Sequence, residues 1–196
     1  MTTRGAATKQ RIVEAAAKLI YESGAERVSL DAVMEASQAS KSQLYHYFED
    51  KDALVREVID LQTRRILHFN SVHLDRLDSF QALRMWRDEV LAANQAGSGI
   101  GGCPLGSLAS ELAAQSESAR RLLSEGFEAW GAIIALGLAR MKEQGQIVAS
   151  ADTKAIATAV LAAIQGGLLL SKTARSSKPL ELAFDMALSH IERYAA

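Results

Sequence analysis

Ser40-Lys41-Ser42-Gln43-Leu44-Tyr45-His46-Tyr47-Phe48 reads as a short helix with two unlike sides. Leu44 and Phe48, four residues apart, fall on one side and anchor it from behind. The first turn offers small polar and cationic groups, and the flank offers tyrosine hydroxyls. A helix of this kind fits the major groove of B-DNA. There Gln, Ser and Lys can meet base edges, while Tyr, Lys and backbone N–H groups grip phosphates.

The flanking residues supply a frame for that helix. Upstream, Ile12, Ala15, Ala16, Leu19 and Ile20 recur at helical spacing and predict one apolar stripe that stops at Ser23-Gly24. Ser29 is a good N-cap for a second helix through Leu30, Val33 and Met34 to about Ala36. Ser37-Gln38-Ala39 makes a short turn into the third helix. Asp50 caps a fourth, and Asp52 suits the positive end of its dipole. The pattern is three short helices and a long one, with a helix-turn-helix between the second and third.

Residues 8–65 resemble the N-terminal domain of the tetracycline-repressor (TetR) family of bacterial transcriptional regulators. The resemblance rests on Thr8-Lys9-Gln10-Arg11-Ile12, Ser29-Leu30-Asp31-Ala32-Val33 and the run from Ser40 to Leu54. It implies a two-fold dimer that binds an operator and releases it when a small molecule enters the C-terminal domain. The family usually has glycine where Gln38 stands, a larger aliphatic residue at Ala39 and often glycine at Ser42. A turn built on Gln38 predicts a positive φ at a residue with a side chain.

Composition fits an all-α protein. The chain has 196 residues, 48% of them apolar, and only two prolines. No uninterrupted run reaches the ~18 apolar residues of a membrane span, and the N-terminus lacks a charged-then-apolar export pattern, so a cytoplasmic address is expected. The single cysteine, Cys103, excludes an intramolecular disulfide and a cysteine-cluster zinc site. Formal net charge is −1, so charge as a whole says nothing about DNA. Lys9, Arg11, Lys41 and Lys51 are therefore expected to act through placement, each near a helix N-terminus.

The resemblance places Ser29, Tyr45, Tyr47 and Lys51 against the DNA backbone. It places Lys41, Ser42, Gln43 and His46 at base edges, with Ser40 heading the helix. Two readings of Gln43 stand side by side. It can take adenine bidentately, or, because Ser40-x-x-Gln43 is also a capping box, it can fold back on the Ser40 backbone.

The chain divides into residues 1–50, a DNA-binding domain, and 51–196, a ligand-binding and dimerisation domain whose first part, 51–77, is a connecting helix. Further helices are predicted over Phe80 to Ala96, with Phe80, Leu83, Trp86 and Val90 on one side, then about Glu117 to Gln144, Thr153 to Ala174 and Pro179 to Tyr194. The Thr153 helix is apolar nearly all round, which calls for burial on every side and suits a dimer. The last helix aligns Leu182, Met186 and Ile191. By the resemblance, these two late helices form the homodimer interface, with Ala159, Ala163, Gly166 and Gly167 permitting close approach. The glycine-rich break at 97–102 lacks the Gly-Lys-Ser/Thr ending of a phosphate loop and reads as a flexible or pocket-rim loop.

For an apolar or aromatic effector the candidates are Phe69, Trp86, Phe127 and Trp130, on helices that by the resemblance surround the cavity, against the alternative of ordinary core. Asn94 and Gln165 are candidate polar anchors, since an amide on an apolar helix requires a partner. Cys103 stands before Pro104, in a segment weakly similar to electrophile-sensing and multidrug-export-type relatives. It is either a reactive thiol at a helix start or a small buried hydrophobe. His68 and His73 have the wrong spacing for a metal pair on one helix face, and no cofactor is expected. Two other function classes compete. A Cys–His enzyme lacks a nucleophile motif and a strand to carry it, and a helical adaptor leaves residues 40–51 without a use.

Overall fold

A computed structural model describes residues 3–75, 77–96 and 102–196. It is all-α: α1 (Thr3–Ser23), α2 (Leu30–Ser37), α3 (Lys41–Tyr47), α4 (Lys51–Leu74), α5 (Phe80–Ala96), α6 (Pro104–Leu112), α7 (Glu117–Glu143), α8 (Thr153–Ala174) and α9 (Lys178–Glu192). Extended pairing among the described residues is confined to one antiparallel bridge, Ile147 with Ala195. Most of the glycine-rich break, residues 97–101, lies outside the described residues.

Short polar side chains set the helix starts by accepting from the first free N–H groups. Ser29 Oγ accepts from Ala32 N, Asp50 from Ala53 N at 2.7 Å, Ser79 Oγ from Ala82 N, and Asp152 from both Lys154 N and Ala155 N. Gly24, at φ +87°, ends α1. Gln38 has φ 53° and ψ 34°, so this turn holds the left-handed conformation with a glutamine, as its position predicts.

Two compact units form: residues 1–65 with 104–126, and 66–103 with 127–196. The sequence division at residue 50 differs from this grouping because α6 and the first turns of α7 fold with the helix-turn-helix. In the first unit α1 packs against α2 and α3. Its buried residues are Ile12, Val13, Ala16, Ala17 and Ile20. Val13 and Ala17 are thus buried where the stripe had Ala15 and Leu19, and Ala17 lines a small cavity with Val58 of α4 and Leu108 of α6.

In the second unit α8 packs along α9. A Cβ on Gly167 would stand 2.9 Å from Leu180 Cα, so glycine sets this close approach. Trp86 of α5 stacks edge-on against Phe184 of α9, with ring centroids 4.9 Å apart, and Arg87 bonds Asp185 through Nε and Nη2 at 2.9 and 3.1 Å. On α5 the buried residues are Leu83, Trp86 and Leu91, with Phe80 and Val90 only partly covered. α4 stops at Leu74 instead of continuing to Leu77. Leu77 turns back, fully buried, to lie against Gly137 of α7, and Arg140 donates to the carbonyls of Leu74 and Leu77.

α9 departs from its predicted single face. Leu180, Phe184, Ala187, Leu188 and Ile191 are buried, while Leu182 and Met186 are exposed. The helix is apolar on two sides, and only one is satisfied within the chain. α7 and α8 each hold an 18-residue window apolar enough to span a membrane by length and composition, a third of it buried. Core and partner-facing helices of soluble proteins pass the same test.

Candidate functional site

α3 is held at both ends and from behind. Ser40 Oγ accepts from Gln43 N at 3.2 Å, and Ser40 N–H donates to Gln43 Oε1 at 2.9 Å, which completes the capping box. Leu44 is fully buried and Phe48 nearly so. On the other side Ser40, Lys41, Ser42, Gln43, Tyr45 and His46 are exposed. Tyr45 is 49% exposed, with Lys41 Nζ 6.0 Å from its ring centroid. Tyr47 is half-buried, wedged edge-on against His46. The structure therefore gathers five of the expected DNA-facing side chains, Lys41, Ser42, Gln43, Tyr45 and His46, on one short polar surface.

The cations are more committed than their placement in the sequence implies. Lys9 and Arg11 lie inside α1, not at its start. Lys9 Nζ pairs with Glu57 at 2.6 Å, and Arg11 Nε donates to Ser37 O at 2.7 Å. Both therefore tie α1 to its neighbours. Lys51 does open α4, and its Nζ donates to Glu26 O at 2.9 Å, which leaves two further hydrogens on the ammonium. Ser29 is exposed, and its Oγ accepts from Ala32 N, which leaves the hydroxyl hydrogen to donate.

Glu111 of α6 escaped the sequence reading. Its carboxylate accepts from Ala25 N at 2.6 Å, in the turn that joins α1 to α2, and lies against Gly24. A charge-assisted bond of this kind fixes the turn. A lone acid in an apolar segment was the available signal.

The second unit separates the expected effector residues into distinct environments. Trp86 is core. It is 1% exposed, and its Nε1–H donates to Asn70 Oδ1 at 3.1 Å while Asn70 Nδ2 donates to Ile66 O. Phe69 is half-buried against the His73 ring. Phe127 lines an open apolar groove of about 770 Å³ between α7 and α8, with Gly131, Leu136 and Leu161. Cys103 is buried at 7% exposure.

Asn94, Trp130 and Gln165 share a different property. Asn94 Oδ1, Trp130 Nε1 and Gln165 Nε2 are buried and have no hydrogen-bond partner among the described residues. Such atoms are uncommon, and each costs about 1–3 kcal/mol of desolvation. α7 and α8 meet where a Cβ on Gly131 would lie 3.9 Å from Leu161. Trp130 adjoins Gly131, and Gln165 is one turn beyond Leu161.

Residues 12–58 match the family described as bacterial regulatory proteins, tetR family, and residues 79–186 match the LmrA/YxaF-like transcriptional regulator C-terminal domain. An HTH-type transcriptional regulator in the lacX 3' region of Lactococcus lactis is 30% identical over 188 residues, 95% of this chain and 94% of that protein. The HTH-type transcriptional regulator YxaF of Bacillus subtilis is 28% identical and covers 93% of each chain. A TetR-family regulator structure from Cytophaga hutchinsonii superposes with a TM-score of 0.87 at 19% identity, over 100% of this chain and 98% of that one. Helix-turn-helix geometry, whole-length relatives and fold agree: this chain is a DNA-binding transcriptional regulator of the TetR family, with a C-terminal domain of the LmrA/YxaF-like type.

Proposed function

We propose that this regulator is a homodimeric cytoplasmic repressor that leaves its operator when an uncharged organic effector binds its C-terminal region. In this reading residues 1–50 read DNA and 51–196 carry effector binding and dimerisation. The carrying observation is the exposed polar surface of Lys41, Ser42, Gln43, Tyr45 and His46 over the buried Leu44 and Phe48. Ser29, Ser40, Tyr47 and Lys51 complement it as backbone contacts. With Lys9 and Arg11 already engaged, phosphate contacts per subunit are few, and the salt dependence of binding is correspondingly shallow.

The test is fluorescence anisotropy of the full chain on labelled DNA flanking its own gene, beside a Tyr45→Ala variant. Wild type binds selectively, and the variant, which removes an exposed side chain and leaves the core alone, binds at least about tenfold more weakly. Failure of wild type to bind any fragment selectively from a genomic pool, in low salt, would overturn the reading.

Dimerisation is supported by apolar side chains that α8 and α9 leave uncovered: Leu169 and Leu170 at 60% and 59% exposure, Leu182 and Met186 at 57% and 64%. A second copy burying them would satisfy the outer faces of both helices. A Leu182→Glu, Met186→Glu double substitution should shift the protein to monomer in sedimentation velocity and abolish tight operator binding, since two recognition helices must meet half-sites ~34–36 Å apart. Dimers that persist at micromolar concentration would place the interface elsewhere.

Effector chemistry follows from the orphaned atoms. Trp130 Nε1–H is only a donor, and the amides of Asn94 and Gln165 each offer both a donor and an acceptor. No acidic or basic side chain is buried among the described residues, so a charged effector would find no buried counter-ion. A neutral molecule with hydrogen-bonding groups along an apolar body fits. By population shift, a coupling of ~1–3 kcal/mol changes operator affinity about 5- to 150-fold.

A further inference from the structure

We infer that Gln43 reads DNA as a hydrogen-bond donor alone, and selects guanine rather than adenine at the base pair it faces. The inference rests on the DNA-binding role of α3 and adds which base that helix prefers.

A side-chain amide recognises adenine in the major groove by using both ends: the oxygen accepts from N6–H and the nitrogen donates to N7. In α3 the oxygen end is tied back to the helix. Gln43 Oε1 accepts from Ser40 N–H at 2.9 Å while the Ser40 hydroxyl accepts from Gln43 N. These two bonds close the first turn of a helix only seven residues long. To bind adenine bidentately, Gln43 would have to leave the box and strand the Ser40 N–H in the protein–DNA interface, or divide its oxygen between Ser40 N–H and adenine N6–H, which weakens both bonds. Nε2 makes no hydrogen bond among the described residues, and the side chain is exposed. What α3 presents at this position is a free NH2 group beside an oxygen already engaged by Ser40 N–H.

The four bases answer that group differently. Guanine shows two adjacent acceptors, N7 and O6, between which an NH2 can be shared. Thymine shows one, O4. Adenine shows N7 beside an N6–H2 donor that opposes the approaching NH2, and cytosine shows only a donor. The order of preference is therefore guanine, then thymine, with adenine and cytosine disfavoured. Lys41, two residues earlier and exposed, is also donor-only, so the two side chains together favour acceptor-rich, guanine-containing half-sites.

The test is selection of bound duplexes from a randomised library by the full-length wild type and by Gln43→Glu. Glutamate at this position keeps the capping box and suits the helix N-terminus, so the variant should melt with wild type. It has lost the donor. The base pair facing residue 43 is the one whose preference changes between the two proteins. Wild type should select guanine there by about tenfold over adenine, and the variant should lose that preference and turn toward cytosine, whose N4–H2 donates. Selection of adenine by wild type at that pair would overturn the proposal. Identical preferences in the two proteins would also overturn it, by reducing Gln43 to a cap. If wild type enriches no sequence at all, the failure lies with the DNA-binding reading of α3 and is distinct from both.

Discussion

A Leu44→Ala chain is expected to lose about 2–5 kcal/mol of stability and, with it, selective operator binding. Leu44 is fully buried and is the buried residue of α3 itself. Removing most of its side chain forfeits its transfer energy and leaves a cavity that the surroundings only partly close. Beside Leu44, α3 is held by Phe48 and by the Ser40–Gln43 capping box. It is seven residues long, too short to persist on its own helical propensity, and its polar surface faces outward. Against a total stability of about 5–15 kcal/mol the loss is large, and it falls on the element that must present Lys41, Gln43 and His46 in fixed register. Urea unfolding with operator anisotropy on the same preparation checks it. A variant that unfolds at the wild-type urea concentration would mean that α3 is not anchored by this side chain.

What could be read in advance followed from local chemistry. Ser29 and Asp50 were legible as caps because Ser and Asp before an apolar periodicity have few other uses, and the starts of α2 and α4 followed. α5 and α8 were bounded correctly because their ends coincide with changes in composition. The turn at Gln38 was legible as left-handed from its place in the motif. What escaped depended on partners distant in sequence. Nothing near Lys9 or Arg11 announces that Glu57 and Ser37 engage them. Nothing near Glu111 points to Ala25 N, 86 residues away. Leu182, Met186 and Ile191 predict one apolar face for α9, yet only Ile191 of these is buried, because a helix apolar on two sides does not state which side stays within the chain.

The two tryptophans show the limit most directly. Trp86 and Trp130 are both aromatic residues on amphipathic helices, and the sequence offers no way to rank them. In three dimensions Asn70 satisfies one indole N–H and nothing described satisfies the other. A buried indole with a partner has its donor satisfied within the core, whereas one without a partner keeps a donor open to an acceptor from outside the chain.

The same chemical change at these two positions should therefore have opposite consequences. Trp86→Phe leaves Asn70 Oδ1 buried with its donor gone, in addition to the lost packing, and should cost about 2–4 kcal/mol. Trp130→Phe removes a donor that has no partner, so the relief of about 1–3 kcal/mol of desolvation offsets the smaller ring. The ligand-free variant should stay within about 1 kcal/mol of wild type and keep its operator affinity. Its defect should appear only with effector: for any neutral compound that releases wild type from DNA, losing one buried hydrogen bond raises the concentration required about 5- to 150-fold. Thermal unfolding of both variants without ligand, followed by compound titration against the operator complex, separates the cases. Equal destabilisation by the two substitutions would mean that Trp130 Nε1 has a partner in the folded protein. An unchanged compound response in Trp130→Phe would mean that this indole takes no part in effector binding.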